Sequence, residues 1–396
     1  METSSATTLS PQTDDKETAA ETRRSVAPPQ GEERKSPEHA LSTGESESEG
    51  EAGSHVTYLR LGVDLELQPS CEIVNYQTSR IHKIENLQMC PHLKSLALNA
   101  NDIEKIENLE ATPQLEELEL YQNRVRKIEG LSTLVHLRLL DLSFNKIRKI
   151  ENLATAVNLV KLYLSSNKIE VIEGLEALTH LELLELGSNK IREIRGIATL
   201  TELTELWLGK NKITEMKLPS LPKLQRLSIQ SNRLTHWDDS LFSACPNLEE
   251  LYLSHNRLEG PIPDGVGKLM HGVDLDLLRV QKKLKILDLG ANAVDDMRAV
   301  AQLPELEELW INDNKLASLE AVKALQSMSS LRTLYLEGNP IHANLGPSYR
   351  QNIVQIFPQL RQLDALLICE TINIIERPLS GKIGATKRKS IMKHDA

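Results

Sequence analysis

Apolar and polar residues follow one recurring pattern along most of this chain, Leu-x-x-Leu-x-Leu-x-x-Asn-x-Ile-x-x-Ile, in which x is mostly polar. One copy is built on Leu115, Leu118, Leu120 and Asn123, and the next copy lies 22 residues later. The Asn of the pattern falls at positions 101, 123, 145, 167, 189, 211, 232, 256, 292, 314 and 339. Copies that recur in phase over this length predict a repeat array rather than a set of unrelated globular domains.

Each copy predicts a short strand followed by a turn. The Leu-x-Leu alternation has the two-residue period of a strand, so its leucines face the core and the residue between them faces the opposite side. We expect the Asn amide to satisfy backbone groups that the turn leaves unpaired. The motif and its period are those of leucine-rich repeats. The sequence therefore predicts an α/β repeat solenoid, a curved array with a parallel sheet on its concave side, loops or 3-10 turns on its convex side and a C-terminal cap.

Three places depart from the pattern. A degenerate first copy has Ser79 in the Asn position and is expected to close the N-terminal end. Near the other end, apolar residues predict a helix and then a last strand; they are Ile353, Val354, Ile356 and Phe357 for the helix, and Leu360 and Leu363 for the strand. Between Asn256 and Asn292 the spacing is 36 residues, and the extra sequence after Leu258 is rich in Pro and Gly. We expect that excursion to loop away from the strands.

These features divide the chain into four regions. Residues 1–55 carry 12 acidic and 5 basic residues and almost no large apolar groups, which predicts a disordered acidic tail. Residues 56–344 are predicted to form the array of about 12 repeats, with the insertion near 259–280. Residues 345–367 form the predicted cap, and residues 368–396 form a flexible basic tail.

Composition and the absence of known motifs argue against several classes of partner and activity. The net charge of −10 argues against nucleic acid as a partner, because nucleic-acid-binding proteins usually carry a basic face. No apolar run approaches the ~18 residues of a membrane helix, and the N-terminal residues do not resemble a secretory signal, so we expect no membrane partner. The four cysteines are scattered, and no phosphate-loop, nucleophile-elbow or zinc-protease motif is present. We therefore expect no enzyme activity, no cofactor, no metal and no small-molecule substrate.

The residue between the last two leucines of each copy, here called the outward column, carries the strongest functional signal because it faces away from the core. The outward column consists of Ala97, Glu119, Asp141, Tyr163, Glu185, Trp207, Ser228, Tyr252, Asp288, Trp310 and Tyr335. Five of these eleven residues are aromatic in a chain with only 3% aromatic residues, although folding requires no aromatic side chain there. Stacking of aromatics on neighbouring strands is one explanation. Since acidic residues interrupt the aromatics, we favour a protein-binding surface whose partner supplies Lys or Arg.

The neighbouring column lies two residues earlier on each strand. The neighbouring column consists of Glu117, Leu139, Lys161, Leu183, Glu205, Arg226, Glu250, Ile286, Glu308 and Thr333. Its apolar members, Leu139, Leu183 and Ile286, are expected to be exposed on the same face. The positions two residues after the outward column are mostly Ser or Gly, which would let a partner approach closely.

A run of phrases in this chain resembles the regulatory subunit 7 family of protein phosphatase 1. The phrases are KIENL, ELGSNKIR, LGKNKIT, QSNRLT and LYLSHN, followed by the cap sequence YR…P-QLRQLDA, and the resemblance covers roughly residues 70–367. It implies a non-catalytic subunit that binds the phosphatase catalytic subunit with its concave face. It also implies control of that enzyme's assembly, activity (including inhibition) or location, in nucleus and cytoplasm and during the cell cycle.

The resemblance also implies which residues make the contact. Carried over to this chain, they are Asp141, Tyr163, Glu185, Trp207, Asp288, Glu308, Trp310 and Tyr335, and the outward column adds Tyr252. The family commonly has Phe where this chain has Tyr163 and Trp207, and it lacks the excursion after Leu258. Neither the family nor this chain contains the linear R-V-x-F motif that many phosphatase-binding proteins use. Two rival interpretations remain. One is a structural adaptor of cilia or the cytoskeleton, and the other is an RNA-processing scaffold, although the acidic concave face argues against the latter.

Overall fold

The computed structural model describes residues 57–238, 240–261 and 283–368, with Gly260 and Pro261 described by their backbone alone. The predicted acidic tail at residues 1–55, the predicted basic tail at residues 368–396 apart from Ile368, and most of the predicted excursion near 259–280 lie outside the described residues. Among the described residues, no helix is long and apolar enough to cross a membrane.

Short strands build the solenoid; most repeats contribute one strand to the main sheet, and two repeats contribute a second strand outside it. The strands are β1 (Ile73–Asn75), β2 (Ser95–Ala97), β3 (Glu117–Glu119), β4 (Leu139–Asp141), β5 (Lys161–Tyr163), β6 (Leu183–Glu185), β7 (Glu205–Trp207), β8 (Arg226–Ser228), β9 (Glu250–Tyr252), β10 (Glu259–Pro261), β11 (Ile286–Asp288), β12 (Ala293–Asp296), β13 (Glu308–Trp310), β14 (Thr333–Tyr335), β15 (Gln362–Leu363) and β16 (Leu366–Leu367). Within the described chain, fourteen of them form one sheet in sequential order, parallel throughout except for the final β15–β16 pair. Its concave side carries the outward column, so the predicted solenoid is confirmed.

The core is a stack of equivalent apolar residues from successive repeats. In the repeat around β4, for example, Leu137, Leu140, Leu142, Ile147 and Ile150 are all fully buried. Each buried Leu or Ile contributes roughly 1.5–3 kcal/mol relative to an exposed one. Because every repeat covers the apolar side of the next, the array behaves as a chain of nearest-neighbour interfaces.

The Asn of each pattern forms a buried ladder that runs along the solenoid. Asn145 shows the arrangement: its Nδ2 donates to the carbonyl oxygens of Leu120, Leu142 and Ser143 at 2.9, 3.0 and 3.1 Å. Its Oδ1 accepts the backbone N–H of Val125 at 2.9 Å. One amide therefore satisfies backbone groups of its own turn and of the preceding repeat, as the sequence predicts.

The excursion after Leu258 begins differently from the prediction. Its first residues form β10, which pairs in parallel with β12 of the next repeat, because this segment leaves the turn alongside the following one. The main sheet continues across the excursion, since β9 pairs directly with β11 and aligns Tyr252 with Asp288. The part of the insertion nearest the solenoid is therefore a strand rather than a loop.

Helical segments lie on the convex side and at the C-terminal end. The α-helices are α1 (Leu241–Ala244), α2 (Leu319–Lys323), α3 (Pro340–Leu345) and α4 (Tyr349–Ile356), and 3-10 turns include Leu87–Met89 and Arg298–Gln302. The helical cap begins with α3, immediately after Asn339, whereas the sequence predicts that it begins at residue 345. Helix α4 buries Ile353 as predicted, and the last parallel strand contains Leu363, whereas Leu360 is buried in the turn before it.

The two ends are closed by contacts that the repeat pattern does not contain. At the N-terminal end, Leu61 and Leu67 are buried, and Leu59 forms a bridge with Ile81 of the first repeat. At the C-terminal end, the Arg350 guanidinium donates to the carbonyl oxygens of Leu363 and Leu367 at 3.2 and 2.9 Å. These contacts cover the terminal repeats, which lack a neighbouring repeat on one side.

Candidate functional site

Nine side chains form the candidate site on the concave sheet, here called the strip. The strip consists of Asp141, Tyr163, Glu185, Trp207, Tyr252, Asp288, Glu308, Trp310 and Tyr335. The parallel register places the first four on consecutive strands β4 to β7, and places Tyr252, Asp288, Trp310 and Tyr335 on consecutive strands of the sheet. The structure thus brings all nine residues onto one face of one sheet.

The strip is less exposed than its sequence pattern suggests. Seven of its members are half-buried, whereas Tyr252 is 9% exposed and Asp288 is 4% exposed. The apolar residues Leu139, Leu183 and Ile286 of the neighbouring column, expected to be exposed, are also half-buried. The cause is the close spacing of parallel strands, about 4.8 Å, which makes large side chains on adjacent strands cover one another. A partner would therefore meet a packed surface rather than separate protruding groups.

Four of the five aromatic residues contact each other in pairs. The rings of Trp207 and Tyr252 stack with centroids 6.0 Å apart, reaching across Ser228 on the strand between them. Ser228 is consequently 1% exposed. The rings of Trp310 and Tyr335, on adjacent strands, meet edge to face at 5.5 Å. Aromatic stacking within the chain therefore explains part of the aromatic pattern, and it also fixes the orientation of these rings before any partner arrives.

An ion-pair network holds the Trp207–Tyr252 pair from one side. The guanidinium of Arg226 contacts Glu205 at 2.6 Å and Glu250 at 3.2 Å, joining strands β7, β8 and β9. Glu205 also accepts the indole N–H of Trp207 at 3.1 Å, and Glu250 accepts the hydroxyl of Tyr252 at 2.9 Å. Burial, reinforced by Glu250, raises the pKa of Tyr252. The sequence analysis missed this network. Its signal in the sequence is an acidic, a basic and an acidic residue at equivalent positions of three successive repeats.

The carboxylates of the strip lie in a different environment. Burial raises the pKa of Asp141, Glu185, Asp288 and Glu308 above the ordinary range of carboxyl groups. Within the described residues none of the four forms an ion pair with Lys or Arg. Removing a charged carboxylate from water without a cation nearby costs free energy, so a cation from a partner would stabilise these groups.

Two of these carboxylates have a local role as well. Asp141 accepts the backbone N–H of Ser143 at 2.8 Å, and Asp288 accepts that of Gly290 at 3.0 Å. These contacts satisfy the backbone where the strand ends, as Asp side chains commonly do in turns. Asp141 and Asp288 therefore shape the concave surface even without a partner.

Asp288 gives a prediction about pH. Because its pKa is higher in the folded chain than in the unfolded chain, the folded state binds the proton more tightly. The stability that this proton contributes is present below the unfolded pKa and is lost as pH rises through the folded pKa. We expect Asp288→Asn, whose amide oxygen can still accept the Gly290 N–H, to be more stable than the parent chain at pH 7. The gain should shrink towards pH 4, as measured by urea unfolding at both pH values, and a gain independent of pH would contradict the prediction.

The sequence analysis also did not predict an aromatic pair at the rim of the concave face. Phe144 is 48% exposed, and its ring lies 5.0 Å from that of Tyr121 in the preceding turn. Phe144 takes a left-handed φ of 56°, which bulky residues rarely adopt. The signal in the sequence was an aromatic residue in each of two successive turns, two residues after Glu119 and three residues after Asp141. The described residues contain no group of three or more His, Cys, Asp or Glu side chains able to hold a metal ion.

Comparisons with known proteins agree with this architecture. Residues 113–155 and 157–199 each match a family model described as leucine-rich repeats in two copies, and residues 222–279 match one described as a leucine-rich repeat. A crystal structure of an internalin from Listeria monocytogenes superimposes with a TM-score of 0.59 and 23% identity, covering 75% of this chain and 88% of that one. At that identity the likeness shows the fold alone.

Three relatives match by sequence over shorter stretches. Protein phosphatase 1 regulatory subunit pprA of Dictyostelium discoideum is 39% identical over 67 residues, which is 17% of this chain and 19% of the relative. Protein phosphatase 1 regulatory subunit SDS22 of Schizosaccharomyces pombe is 40% identical over 73 residues, 18% of this chain and 22% of the relative. Human cilia- and flagella-associated protein 410 is 26% identical over 97 residues, 24% of this chain and 38% of the relative. Each match spans less than two fifths of the relative's own length. The fold and the repeat matches together show that the chain forms a leucine-rich-repeat array.

Proposed function

We propose that this protein is a non-catalytic regulatory and scaffolding subunit that binds the catalytic subunit of protein phosphatase 1 through its concave face. In this role it controls the assembly, activity or location of the phosphatase in the nucleus and cytoplasm. Two of its relatives bear the name of protein phosphatase 1 regulatory subunits, which supports this partner. The proposal needs no catalytic group, cofactor, nucleic acid or membrane.

The observation that carries the proposal is the combination, in the strip, of fixed aromatic rings and carboxylates that form no ion pair with Lys or Arg of the described chain. The rings of Trp310 and Tyr335 already contact each other, so little side-chain entropy remains to be lost when a partner packs against them. Glu308, beside them, forms no ion pair in the described chain. A Lys or Arg of a partner could therefore pair with this carboxylate without displacing another cation. Trp and Tyr side chains in such surroundings are frequent anchors of protein interfaces.

A binding measurement tests the partner and the site together. Purified protein should bind purified phosphatase catalytic subunit, and Trp310→Ala should weaken that binding by about 2 kcal/mol, or roughly 30-fold. The double variant Trp310→Ala/Glu185→Ala should lose retention in a pull-down. Isothermal titration calorimetry gives the affinities, and thermal unfolding verifies that the variants remain folded.

The matched control is Glu193→Ala, because the Glu193 side chain is 73% exposed and lies outside the strip. It should bind the phosphatase like the parent chain. Undiminished retention of the phosphatase by the folded double variant would contradict the site. Absence of binding by the parent chain would contradict the partner.

A second candidate is a structural adaptor of cilia or the cytoskeleton. The match to human cilia- and flagella-associated protein 410 over 97 residues favours it. Affinity purification from cells followed by mass spectrometry separates the two candidates. Recovery of the phosphatase catalytic subunit supports the first, whereas recovery of tubulin or dynein without the phosphatase supports the second.

A further inference from the structure

The tripeptide Glu-Leu-Trp occurs on two strands of the concave sheet, and the two copies have different surroundings. On β7, Glu205 accepts from Trp207 within its own strand and from Arg226 on β8. On β13, Glu308 occupies the equivalent position, but the register pairs it with Ile286 on one side and Thr333 on the other. The β7 copy therefore shows how this face holds a cation, and the β13 copy offers the same carboxylate without one.

The surroundings of Glu308 favour the binding of a positively charged group. Burial raises the pKa of Glu308, and the nearby carboxylates of Glu307 and Glu250 raise it further. The Trp310 indole N–H is buried beside Glu308 without a well-formed hydrogen bond, and its weak contact with this carboxylate lowers a pKa that burial still holds above the ordinary value. Asp288, on the next strand, is buried with a raised pKa as well. A guanidinium or ammonium group at this point would pair with a carboxylate and lie near an indole ring, which also attracts cations.

The chain itself contains a segment with the required chemistry. Residues 377–396 hold six basic residues and one acidic residue, in a chain whose net charge is −10. The basic residues are Arg377, Lys382, Lys387, Arg388, Lys389 and Lys393. This segment therefore has a charge opposite to that of the strip.

The segment can reach Glu308. The described chain ends at Ile368, just after β16, and β16 lies three strands from β13 in the sheet. At ~4.8 Å per strand this separation is about 14 Å. The nine residues from Ile368 to Arg377 can span up to about 30 Å when extended. Chain length therefore places every basic residue of the segment within reach of the Glu308 end of the strip.

We propose that residues 377–396 bind the Glu308 end of the strip of their own chain, with a basic side chain placed at Glu308 as Arg226 is placed at Glu205. An incoming partner must then displace this segment. The internal contact stands independently of the partner's identity, whereas the competition rests on the function proposed above. The affinity of the strip for a partner would then depend on whether this segment is bound to the strip.

The internal contact is tested without any phosphatase. The receptor is the full-length chain in which the six basic tail residues are changed to Gln, so that its own segment does not compete. A fluorescein-labelled peptide of residues 377–396 should bind it, as followed by fluorescence anisotropy, and binding should weaken as salt rises from 50 to 300 mM. Glu308→Gln in the receptor should weaken peptide binding at least tenfold, while a peptide with the same six residues changed to Gln should not bind.

The matched control is Glu320→Gln, because the Glu320 side chain is 79% exposed and lies on α2, outside the concave sheet. It should bind the peptide like the parent receptor. Equal peptide binding by the Glu308→Gln and parent receptors would overturn the proposed contact, as would absence of binding at 50 mM salt.

Competition is measured separately with the phosphatase catalytic subunit. The full-length chain with the neutralised tail should bind it several-fold more tightly than the parent chain, because no internal segment has to leave. Equal or weaker affinity would overturn the competition. If the phosphatase binds neither chain while the peptide result holds, the proposed partner fails and the internal contact stands.

Discussion

Asn145→Ala should destabilise the folded array by about 3 kcal/mol, because it removes one amide from the centre of the Asn ladder. That amide makes three donor contacts, to Leu120, Leu142 and Ser143, and accepts one from Val125. The site is buried, with Asn145 7% exposed, so water does not readily replace these partners. Each buried polar group left unpaired costs on the order of 1–3 kcal/mol. Urea unfolding followed by circular dichroism measures the loss.

Asn158→Ala is the matched control for this prediction. Asn158 is exposed, and its amide donates to the carbonyl oxygen of Val135 at 2.8 Å. The same substitution at this exposed position, outside the Asn ladder, should therefore cost about 1 kcal/mol or less. Equal losses for Asn145→Ala and Asn158→Ala would show that burial of the ladder contributes nothing beyond an ordinary surface hydrogen bond.

The fold was predictable because a repeat has only one way to bury its leucines. Leu-x-Leu sets the strand, and the following Asn sets the turn, so the register between Leu140 and Leu162 follows from their spacing. The same reasoning places Asp141 and Tyr163 side by side on the concave face, because equivalent positions of successive repeats pair. Once the repeat period is known, the residues of the strip therefore follow directly from the sequence.

Contacts between repeats were not predictable from single-repeat positions. The Trp207 ring reaches over Ser228 to Tyr252, which depends on the small size of the residue between them. Arg226 pairs with carboxylates on both neighbouring strands, which requires comparison of three repeats at once. A single column suggested an exposed aromatic and acidic surface, whereas the packed structure contains side chains already fixed by their neighbours.

The ends were the least predictable part because no repeat pattern applies there. Leu61 and Leu67 cover the first repeat although they precede the periodic sequence. At the excursion, β10 pairs with β12 because two successive turns run side by side, a relation that Pro and Gly content does not reveal. Helix α3 starts directly after Asn339, where the pattern predicts the return of the chain along the convex side.

Asp364→Ala should destabilise the C-terminal cap by about 3 kcal/mol. Asp364 aligns with the outward column but turns back to the chain, where Oδ1 accepts the backbone N–H groups of Leu336 and Glu337 at 2.8 and 2.9 Å. Its Oδ2 accepts the hydroxyl of Tyr349 on α4 at 3.0 Å. Asp364 also has a left-handed φ of 55°, which costs Ala more than Asp or Asn. Asp364→Asn should therefore retain most of the stability, and hydrogen exchange should show α4 opening first in Asp364→Ala.

A double-mutant cycle with Tyr349→Phe separates the contact to α4 from the contacts to the backbone. Tyr349→Phe alone removes one hydrogen bond while keeping the buried ring, so it should cost about 1 kcal/mol. In the Asp364→Ala background the hydroxyl has already lost its acceptor, so the same change should cost close to nothing, giving a coupling of about 1 kcal/mol. Additive losses would mean that the Tyr349–Asp364 contact does not tie α4 to the last strand. In that case the cap would depend on Arg350, whose guanidinium reaches the carbonyl oxygens of Leu363 and Leu367.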